Sequence, residues 1–148
     1  MKDVIINNQA LLQELIELVK SAELPTDDIN ISNNLFKAYY DDTNNILLGC
    51  GGLELYGHYA LLRSLAVAPS QRSKSFGKEI VQDIIGEAKK MLIEKIYLLT
   101  ETAPDFFTKL GFKSIARDLV PHELKASSEF TSVCPVSAIC MELVLKDR

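Results

Sequence analysis

The sequence predicts a mixed α/β fold (α+β) with one sheet, in which an antiparallel meander precedes a parallel strand–helix–strand unit. Two observations support this prediction. Strand-like segments at 35–40, 46–56 and 59–67 follow one another with only short turns between them. A helical pattern then begins at Phe76, and a short apolar run at 96–100 follows it, which is the order of a parallel unit.

The N-terminal part of the chain reads as one strand and one amphipathic helix. Residues 1–6 form the strand, and Asn7 or Asn8 can cap the helix that follows. Apolar residues recur in this helix at helical spacing, namely Leu11, Leu12, Leu15, Ile16, Leu18 and Val19. Pro25 marks a break, and residues 25–33 are compatible with either a second short helix or an ordered loop.

The meander strands are separated by turn-forming residues. The sequence Asp-Asp-Thr-Asn-Asn at 41–45 separates the first two strands, and Gly57-His58 separates the second from the third. The middle strand contains Gly-Cys-Gly-Gly at 49–52. We expect a bulge or a close backbone approach at these glycines.

The C-terminal half alternates between helices and strands. The helix from Phe76 has an apolar stripe made of Ile84, Ile85, Ala88, Met91 and Leu92. The remaining predicted elements are a helix from Pro104 to Gly111, strands at 112–117 and 139–145, and one helical turn within the irregular segment 121–134.

Length and charge limit the class of protein. A chain of 148 residues is most simply one domain spanning 1–148. Its net charge of -4 argues against a nucleic-acid partner, and it lacks the run of about 18 apolar residues that a membrane span needs. The N-terminus does not resemble a signal peptide, and Cys50, Cys134 and Cys140 fit no zinc or redox spacing. These features predict a cytoplasmic protein with reduced thiols and no metal.

The loop before Phe76 suits an anionic ligand. It leads a strand into a helix N-terminus, where several backbone N–H groups have no partner within the helix. Arg72, Lys74 and Lys78 place positive charge beside these groups. The sequence therefore predicts a phosphate or pyrophosphate site at residues 71–78.

The segment LAVAPSQRSKSFGKEIV resembles the coenzyme-binding motif of the Gcn5-related N-acetyltransferases (GNAT), which reads Q/R-x-x-G-x-G/A. Residues Arg72 to Gly77 fall on this motif. Ser75 stands at the first glycine of the motif, and Ser73 stands where another glycine is frequent. Serine keeps the backbone N–H but adopts positive φ less readily than glycine, which is expected to weaken acetyl-CoA binding.

The segment KIYLLTETAPDFFTKLGFKSI resembles a later motif of the same family, A-x-x-F-Y-x-K-L-G-F. The matching residues are Ala103, Phe106, Phe107, Lys109, Leu110, Gly111 and Phe112. Many members of the family have a tyrosine at the position of Phe107, and its hydroxyl protonates the departing coenzyme thiolate. Here water, another side chain such as Tyr56 or Tyr59, or no group at all protonates the thiolate.

This resemblance covers nearly the whole chain and implies a GNAT-like sheet with helices on both faces. In that fold the two central parallel strands splay apart, and the pantetheine arm of acetyl-CoA lies between them. The implied coenzyme-binding residues are Leu65, Ala66, Val67, Arg72, Ser73, Lys74, Ser75, Phe76, Gly77, Lys78, Thr100, Phe106 and Phe107. Backbone N–H groups of 65–67 are candidate donors to the oxyanion that forms during transfer.

The C-terminal segment VPHELKASSEFTSVCPVSAICMEL carries a narrower resemblance, to the small acetyltransferases of the arsenic-resistance group. It is more loosely similar to the acetyltransferase part of N-acetylglutamate synthases. Both groups acetylate the α-amine of an amino acid or of a related small zwitterion. The implied function is transfer of an acetyl group from acetyl-CoA to a small amino-acid-like amine, directly within a ternary complex.

Two charged residues of the meander are candidate catalytic residues. Arg63 lies two residues before Leu65, so both are expected on one strand face, where the guanidinium can bind a substrate carboxylate. Alternatively, Arg63 is solvated or pairs with a neighbouring acid. Glu54 is a candidate general base acting through a water, or else an exposed strand carboxylate. Ser127 either lines the substrate end or belongs to an ordinary polar loop.

Two other functions remain open from the sequence. One is a GNAT-like CoA-binding or interaction domain with weak or no catalysis, which Ser73, Ser75 and Phe107 favour. The other is an acetyltransferase for a protein N-terminus or a lysine side chain. Pairing of sheet edges in a homodimer is a further possibility.

Overall fold

The computed structural model describes residues 1–32, 34–71, 75–125, 127, 130 and 137–146. Its strands are β1 (Lys2–Ile5), β2 (Asn34–Tyr40), β3 (Leu47–Tyr56), β4 (Tyr59–Val67), β5 (Lys95–Thr100), β6 (Lys113–Ser114) and β7 (Ile139–Val144). Its helices are α1 (Gln9–Ser21), α2 (Phe76–Lys90), α3 (Pro104–Lys109) and α4 (His122–Lys125). Arg72, Ser73, Lys74 and Cys134 lie outside the described residues.

The strands form one mixed sheet in the order β1-β2-β3-β4-β5-β7-β6. Strands β1 to β4 pair antiparallel, β4 and β5 pair parallel, and β7 pairs antiparallel with both β5 and β6. Helices α1 and α2 pack against separate apolar clusters that include residues of the sheet. The predicted fold class is confirmed.

Helix α1 begins where the sequence predicts it. The side chain of Asn8 accepts a hydrogen bond from the backbone N–H of Leu11, which caps the first turn. Its buried residues are Leu12, Leu15, Leu18 and Val19. Residues 25–32 form turns and irregular backbone, so the second short helix considered for this segment is absent from its described part.

The glycines of β3 allow close packing on both faces of the strand. A Cβ atom on Gly51 would lie 2.4 Å from Cδ1 of Ile84 in α2. On Gly52 a Cβ would lie 2.3 Å from the ring of Phe36 in β2. The predicted close approach is therefore confirmed, and it explains how α2 packs directly on the middle of the sheet.

The strand opposite these glycines carries a bulge. The β3–β4 register shifts between Cys50 and Gly52, and Ser64 has a φ of 56°. The extra residue in β4 reverses the alternation of its side chains between the two faces of the sheet. Leu65 therefore packs against the apolar cluster that includes Ile80 and Ile84 of α2, while Arg63 contacts Asp28 on the opposite face. The expectation that Arg63 and Leu65 share a face is therefore wrong.

The two central parallel strands diverge after a short pairing. Strand β4 pairs with β5 from Tyr59↔Lys95 to Leu61↔Tyr97. Beyond these pairs β4 continues to Val67 and β5 continues to Thr100. The splayed opening that the resemblance implied is thus present, and Arg63 lies two residues past the last pair.

The segment after α3 departs from the prediction. A strand was expected over 112–117, but β6 spans only Lys113–Ser114. The chain then turns at 117–119, and Val120 and Leu124 become buried against Leu61 and Tyr97. Burial of these apolar side chains stabilises the turn over a longer strand. The helical turn expected within 121–134 is α4.

A buried lysine joins β1, β2 and α2. The Nζ atom of Lys37 lies 2.7 Å from Asp3, 2.6 Å from Asp83 and 3.4 Å from Glu87. The hydroxyl of Tyr39 also donates to Asp83, at 2.6 Å. The lysine is 1% exposed, so its charge is stabilised by these carboxylates rather than by water.

Among the described residues, every helix is too short or too polar to cross a membrane.

Candidate active site

Three elements converge at one end of the opening between β4 and β5. A Cβ atom on Gly77, in the first turn of α2, would lie 3.5 Å from Cζ of Phe106 in α3. The same position is 3.6 Å from Cγ2 of Val67, the last residue of β4. The absence of a side chain on Gly77 leaves the backbone of the first helical turn open beside this junction.

The N-terminus of α2 has unusual backbone geometry. Ser75 is its N-cap, with φ 62° and ψ 13°, the left-handed region. Within the described part of the chain, the serine hydroxyl does not cap the helix. Because the first N–H groups of a helix lack intrahelical partners, those of Phe76, Gly77 and Lys78 remain donors suited to an anion.

The conformation of Ser75 leads to a prediction for Ser75→Gly. Left-handed backbone costs a non-glycine residue about 1–2 kcal/mol, so the glycine variant is expected to gain about 1 kcal/mol in unfolding free energy. Its affinity for acetyl-CoA should change little, because the unliganded chain already has this backbone geometry at Ser75. Chemical denaturation and calorimetry measure the two quantities.

Ser70→Gly is the matched control for this prediction. Ser70 is exposed in a short 3₁₀ turn at 69–71, so glycine there should bring no gain in stability. A Ser75→Gly protein less stable than wild type would contradict the assigned backbone strain.

Helix α3 is fixed beside the opening by Thr100 and by its aromatic residues. Oγ1 of Thr100 accepts a hydrogen bond of 3.1 Å from the N–H of Ala103, just before the helix begins. Phe107 is 7% exposed, and the centre of its ring lies 5.0 Å from the ring centre of Phe106 and 5.6 Å from that of Phe112. The residue that replaces the family's tyrosine is therefore part of the core.

The other residues predicted to contact the coenzyme lie along the same opening. Leu65 and Val67 are half-buried and Ala66 is buried, while Ser75 and Lys78 are exposed at the start of α2. Ala66 and Val67 pair with β3 on one side. Their other side lies past the end of the β4–β5 pairing. Their roles in coenzyme binding stay predictions.

Arg63 is the centre of a buried polar cluster on the opposite face of β4 from Leu65. Its Nη1 and Nη2 atoms both donate to the Asp28 carboxylate, the Nη2–Oδ1 distance being 2.7 Å. Nη1 also donates to Oε2 of Glu54 at 2.8 Å, and Nε donates to Oγ of Ser64 at 3.1 Å. The guanidinium is thus paired with neighbouring acids, the alternative that the sequence left open.

Glu54 is held by donors on three sides. Besides Arg63, the hydroxyls of Tyr56 and Ser127 donate to its Oε1, at 2.9 Å and 2.7 Å. Glu54 is 6% exposed, so the expectation of an exposed strand carboxylate is wrong. Burial raises the pKa of the Tyr56 hydroxyl, and the charge of Glu54 adds to this effect, which keeps the phenol protonated as a donor.

The sequence did not identify Asp28, because nothing in the polar segment 25–33 distinguishes it from its neighbours. No group of three or more potential metal ligands occurs among the residues that the structure describes. The cluster of Asp28, Glu54, Arg63, Tyr56 and Ser127, termed the acceptor cluster below, consists of acid–base and hydrogen-bonding groups.

The sequence profile described as "Acetyltransferase (GNAT) domain" matches residues 32–114, more than half of the chain. The chain belongs to the GNAT acetyltransferase family. The family predicted from the two motifs is confirmed, and it supports the prediction of an acetyl-CoA-dependent N-acetyltransferase. The matched region runs from before β2 through β6 and includes both strands of the opening.

Curated relatives of this GNAT chain include amino-acid acetyltransferases. That of Edwardsiella ictaluri is 24% identical over 57% of this chain, and that of Proteus mirabilis is 29% identical over the same share. The GNAT chain spans about a fifth of the length of these relatives. An uncharacterized N-acetyltransferase of Chlorobaculum tepidum is 24% identical over 78% of this chain and 73% of its own length.

Solved structures share the fold over almost the entire GNAT chain. N-acetylglutamate synthase from Neisseria gonorrhoeae, in complex with coenzyme A and N-acetyl-glutamate, superposes with a TM-score of 0.80 at 18% identity. The superposition covers 99% of this chain and 36% of the synthase. Tetrahymena Gcn5 gives a TM-score of 0.77 at 17% identity, covering 98% and 96% of the two chains.

Proposed function

We propose that this GNAT domain transfers the acetyl group of acetyl-CoA to the amine of a small amino-acid-like substrate. The observation that carries the proposal is the opening between β4 and β5. The N-terminus of α2, which the Ser75 side chain does not cap in the described part of the chain, lies at one end of it. The acceptor cluster lies beside the point where the strands separate. A coenzyme and an amine can therefore reach the same opening from two sides and react in a ternary complex.

The coenzyme is assigned to the end of the opening near α2. Its pyrophosphate binds the backbone of residues 72–78, where the N–H groups of Phe76 and Gly77 are donors. Its pantetheine arm lies along the backbone of 65–67, with Thr100, Phe106 and Phe107 on the facing elements. The junction of Val67, Gly77 and Phe106 supports this assignment because it brings β4, α2 and α3 together there.

Direct transfer requires few chemical groups. The neutral amine attacks the thioester carbon and a C–N bond forms; the nitrogen then loses a proton to water, the C–S bond breaks and the coenzyme leaves as a thiolate. Glu54 accepts the proton of the substrate ammonium through a water, and a backbone N–H of 65–67 donates to the oxyanion. Since Phe107 has no hydroxyl and that of Tyr56 donates to Glu54, water protonates the thiolate.

The substrate class is supported by the relatives and by Arg63. Several curated relatives are named amino-acid acetyltransferases, and the synthase from Neisseria gonorrhoeae was solved with N-acetyl-glutamate. A guanidinium binds a carboxylate through two parallel hydrogen bonds, and Arg63 makes such a pair with Asp28. In the proposed complex Arg63 binds the substrate carboxylate and Glu54 lies near its amine.

The test is a free-thiol assay with acetyl-CoA and a panel of amino acids, followed by mass spectrometry of the products. We expect thiol release that depends on the amine, together with a product heavier by one acetyl group. Binding of CoA in calorimetry without any amine-dependent thiol release would instead support a non-catalytic CoA-binding domain. Acetylation of peptides alone would support a protein acetyltransferase.

Several other expectations stay predictions. They are a single domain over 1–148, a cytoplasmic location, a possible homodimer, and the absence of metal, nucleic-acid and membrane partners.

A further inference from the structure

The face of Arg63 that would bind a substrate carboxylate is occupied by a carboxylate of the chain itself. Both terminal nitrogens of Arg63 donate to the two oxygens of Asp28. This two-bond geometry is the one that a guanidinium makes with a free carboxylate ligand. The Arg63 side chain is 1% exposed, whereas that of Asp28 is 14% exposed and borders solvent.

Asp28 is carried by a connection rather than by the sheet. It lies between α1 and β2, in a turn where the N–H of Ile29 donates to the carbonyl of Thr26 at 3.2 Å. Ile29 and Ile31 are only partly buried, and they pack against the apolar cluster that contains the buried residues of α1. Long connections without regular structure are frequently functional, and this one can move without disrupting a strand or helix.

The charges of the acceptor cluster oppose the addition of another carboxylate. Among the residues that the structure describes, Asp28 and Glu54 are two acids paired with the one positive charge of Arg63. A zwitterionic substrate added to this buried cluster would leave one negative charge in excess, with its carboxylate and that of Asp28 competing for the same guanidinium, which burial makes unfavourable. If the substrate carboxylate replaces Asp28, the charge at Arg63 does not change, and Asp28 becomes hydrated at the surface.

We propose that Asp28 is an internal competitor for the acceptor site: it occupies Arg63 in the free protein and is displaced by the carboxylate of the amine substrate. This inference rests on the proposed function, since it requires Arg63 to be the carboxylate-binding residue. The apparent affinity for the substrate is then lowered by the fraction of molecules in which Asp28 holds Arg63. Asp28 thereby selects substrates whose carboxylate can compete with it.

Asp28→Asn tests the competition. Asparagine keeps the shape of the side chain but cannot accept both guanidinium bonds as a carboxylate does. We expect the KM for the amino acid with the fastest turnover in the panel to fall roughly three- to tenfold, with kcat little changed. The KM for the carboxamide of the same amino acid should change by less than about twofold, because it has no carboxylate to compete.

Asp27→Asn is the matched control, since Asp27 is the exposed neighbour in the same turn and loses the same charge. It is expected to leave both KM values as in wild type. A rise in the KM of the amino acid in Asp28→Asn would overturn the proposal, because Asp28 would then be positioning Arg63 for the substrate. Equal changes for the amino acid and its carboxamide would overturn it too.

Hydrogen exchange gives a readout that does not depend on turnover. With CoA bound, saturating amino acid should speed exchange of the amides of 26–30 in wild type, although ligands usually slow exchange. Slower or unchanged exchange there, with binding of the amino acid confirmed by calorimetry, would contradict displacement. Failure of the proposed function would look different, because no amino acid in the panel would then be acetylated.

Discussion

Glu54→Gln is expected to lower kcat by about 10²-fold or more, the loss typical of removing a general base. The amide keeps the size of the side chain but cannot take the proton of the substrate ammonium. The affinity for CoA should change little, because Glu54 lies on the acceptor side and Gly77 lies at the other end of the opening. Steady-state kinetics and calorimetry measure the two effects separately.

Tyr56→Phe is the matched control for Glu54→Gln. It removes one of the two hydroxyl donors to Oε1 of Glu54 but leaves the carboxylate and its bond to Arg63. A hydrogen bond to a charged group contributes about 1.5–3 kcal/mol, but Arg63 and Ser127 still hold Glu54, so activity should fall only about tenfold. Equal kcat values for Glu54→Gln and wild type, at saturating substrates, would remove Glu54 as the base.

Lys37→Met is expected to lower the free energy of unfolding by about 3 kcal/mol. Removing one partner of a buried ion pair costs about 3–5 kcal/mol. We expect the lower end of this energy range because the carboxylates left behind can be hydrated: the side chains of Asp3, Asp83 and Glu87 are 51%, 36% and 23% exposed. Chemical denaturation measures the change.

Lys95→Met is the control for Lys37→Met. Its Nζ atom lies 3.8 Å from Glu142 and its side chain is 38% exposed, so the loss should stay below about 1 kcal/mol. Similar losses in the two variants would contradict the view that burial makes the Lys37 cluster costly to break.

The loss of unfolding free energy in Lys37→Met should also depend on pH. The hydrogen bond from Lys37 lowers the pKa of Asp3 from its usual 3.8. A group with a lowered folded pKa stabilises the protein above its unfolded pKa, and this stabilisation is lost as pH falls through the folded value. The difference in unfolding free energy between wild type and Lys37→Met should therefore be largest above about pH 4, and it should decrease under more acidic conditions.

The sequence was sufficient for the order of elements and the family. Turn residues at 41–45 and 57–58 separated the meander strands, and two motifs located the loop before α2 and the segment at α3. These features depend on local backbone preferences and on fixed spacings, so a single sequence carries them. The register of the strands and the core contacts of Phe107 needed the structure.

The acceptor cluster was only partly predictable. Glu54 and Arg63 were identified from their positions in predicted strands. The bulge at Ser64 places Arg63 on the face of β4 opposite Leu65, and β4 has no glycine there that would indicate a bulge. Asp28 lies 35 residues from Arg63 in the sequence, in a connection without a pattern. Glu54 likewise accepts a hydrogen bond from Ser127, which comes 73 residues later.

Direct acetyl transfer is tested most directly by the initial rate of CoA release, measured while acetyl-CoA and the amino acid are both varied. Direct transfer in a ternary complex predicts saturation by both substrates and double-reciprocal lines that intersect. Parallel lines would indicate an acetyl-enzyme intermediate and contradict direct transfer. A rate that does not depend on any amine, in a protein that still binds CoA, would contradict the assigned N-acetyltransferase activity.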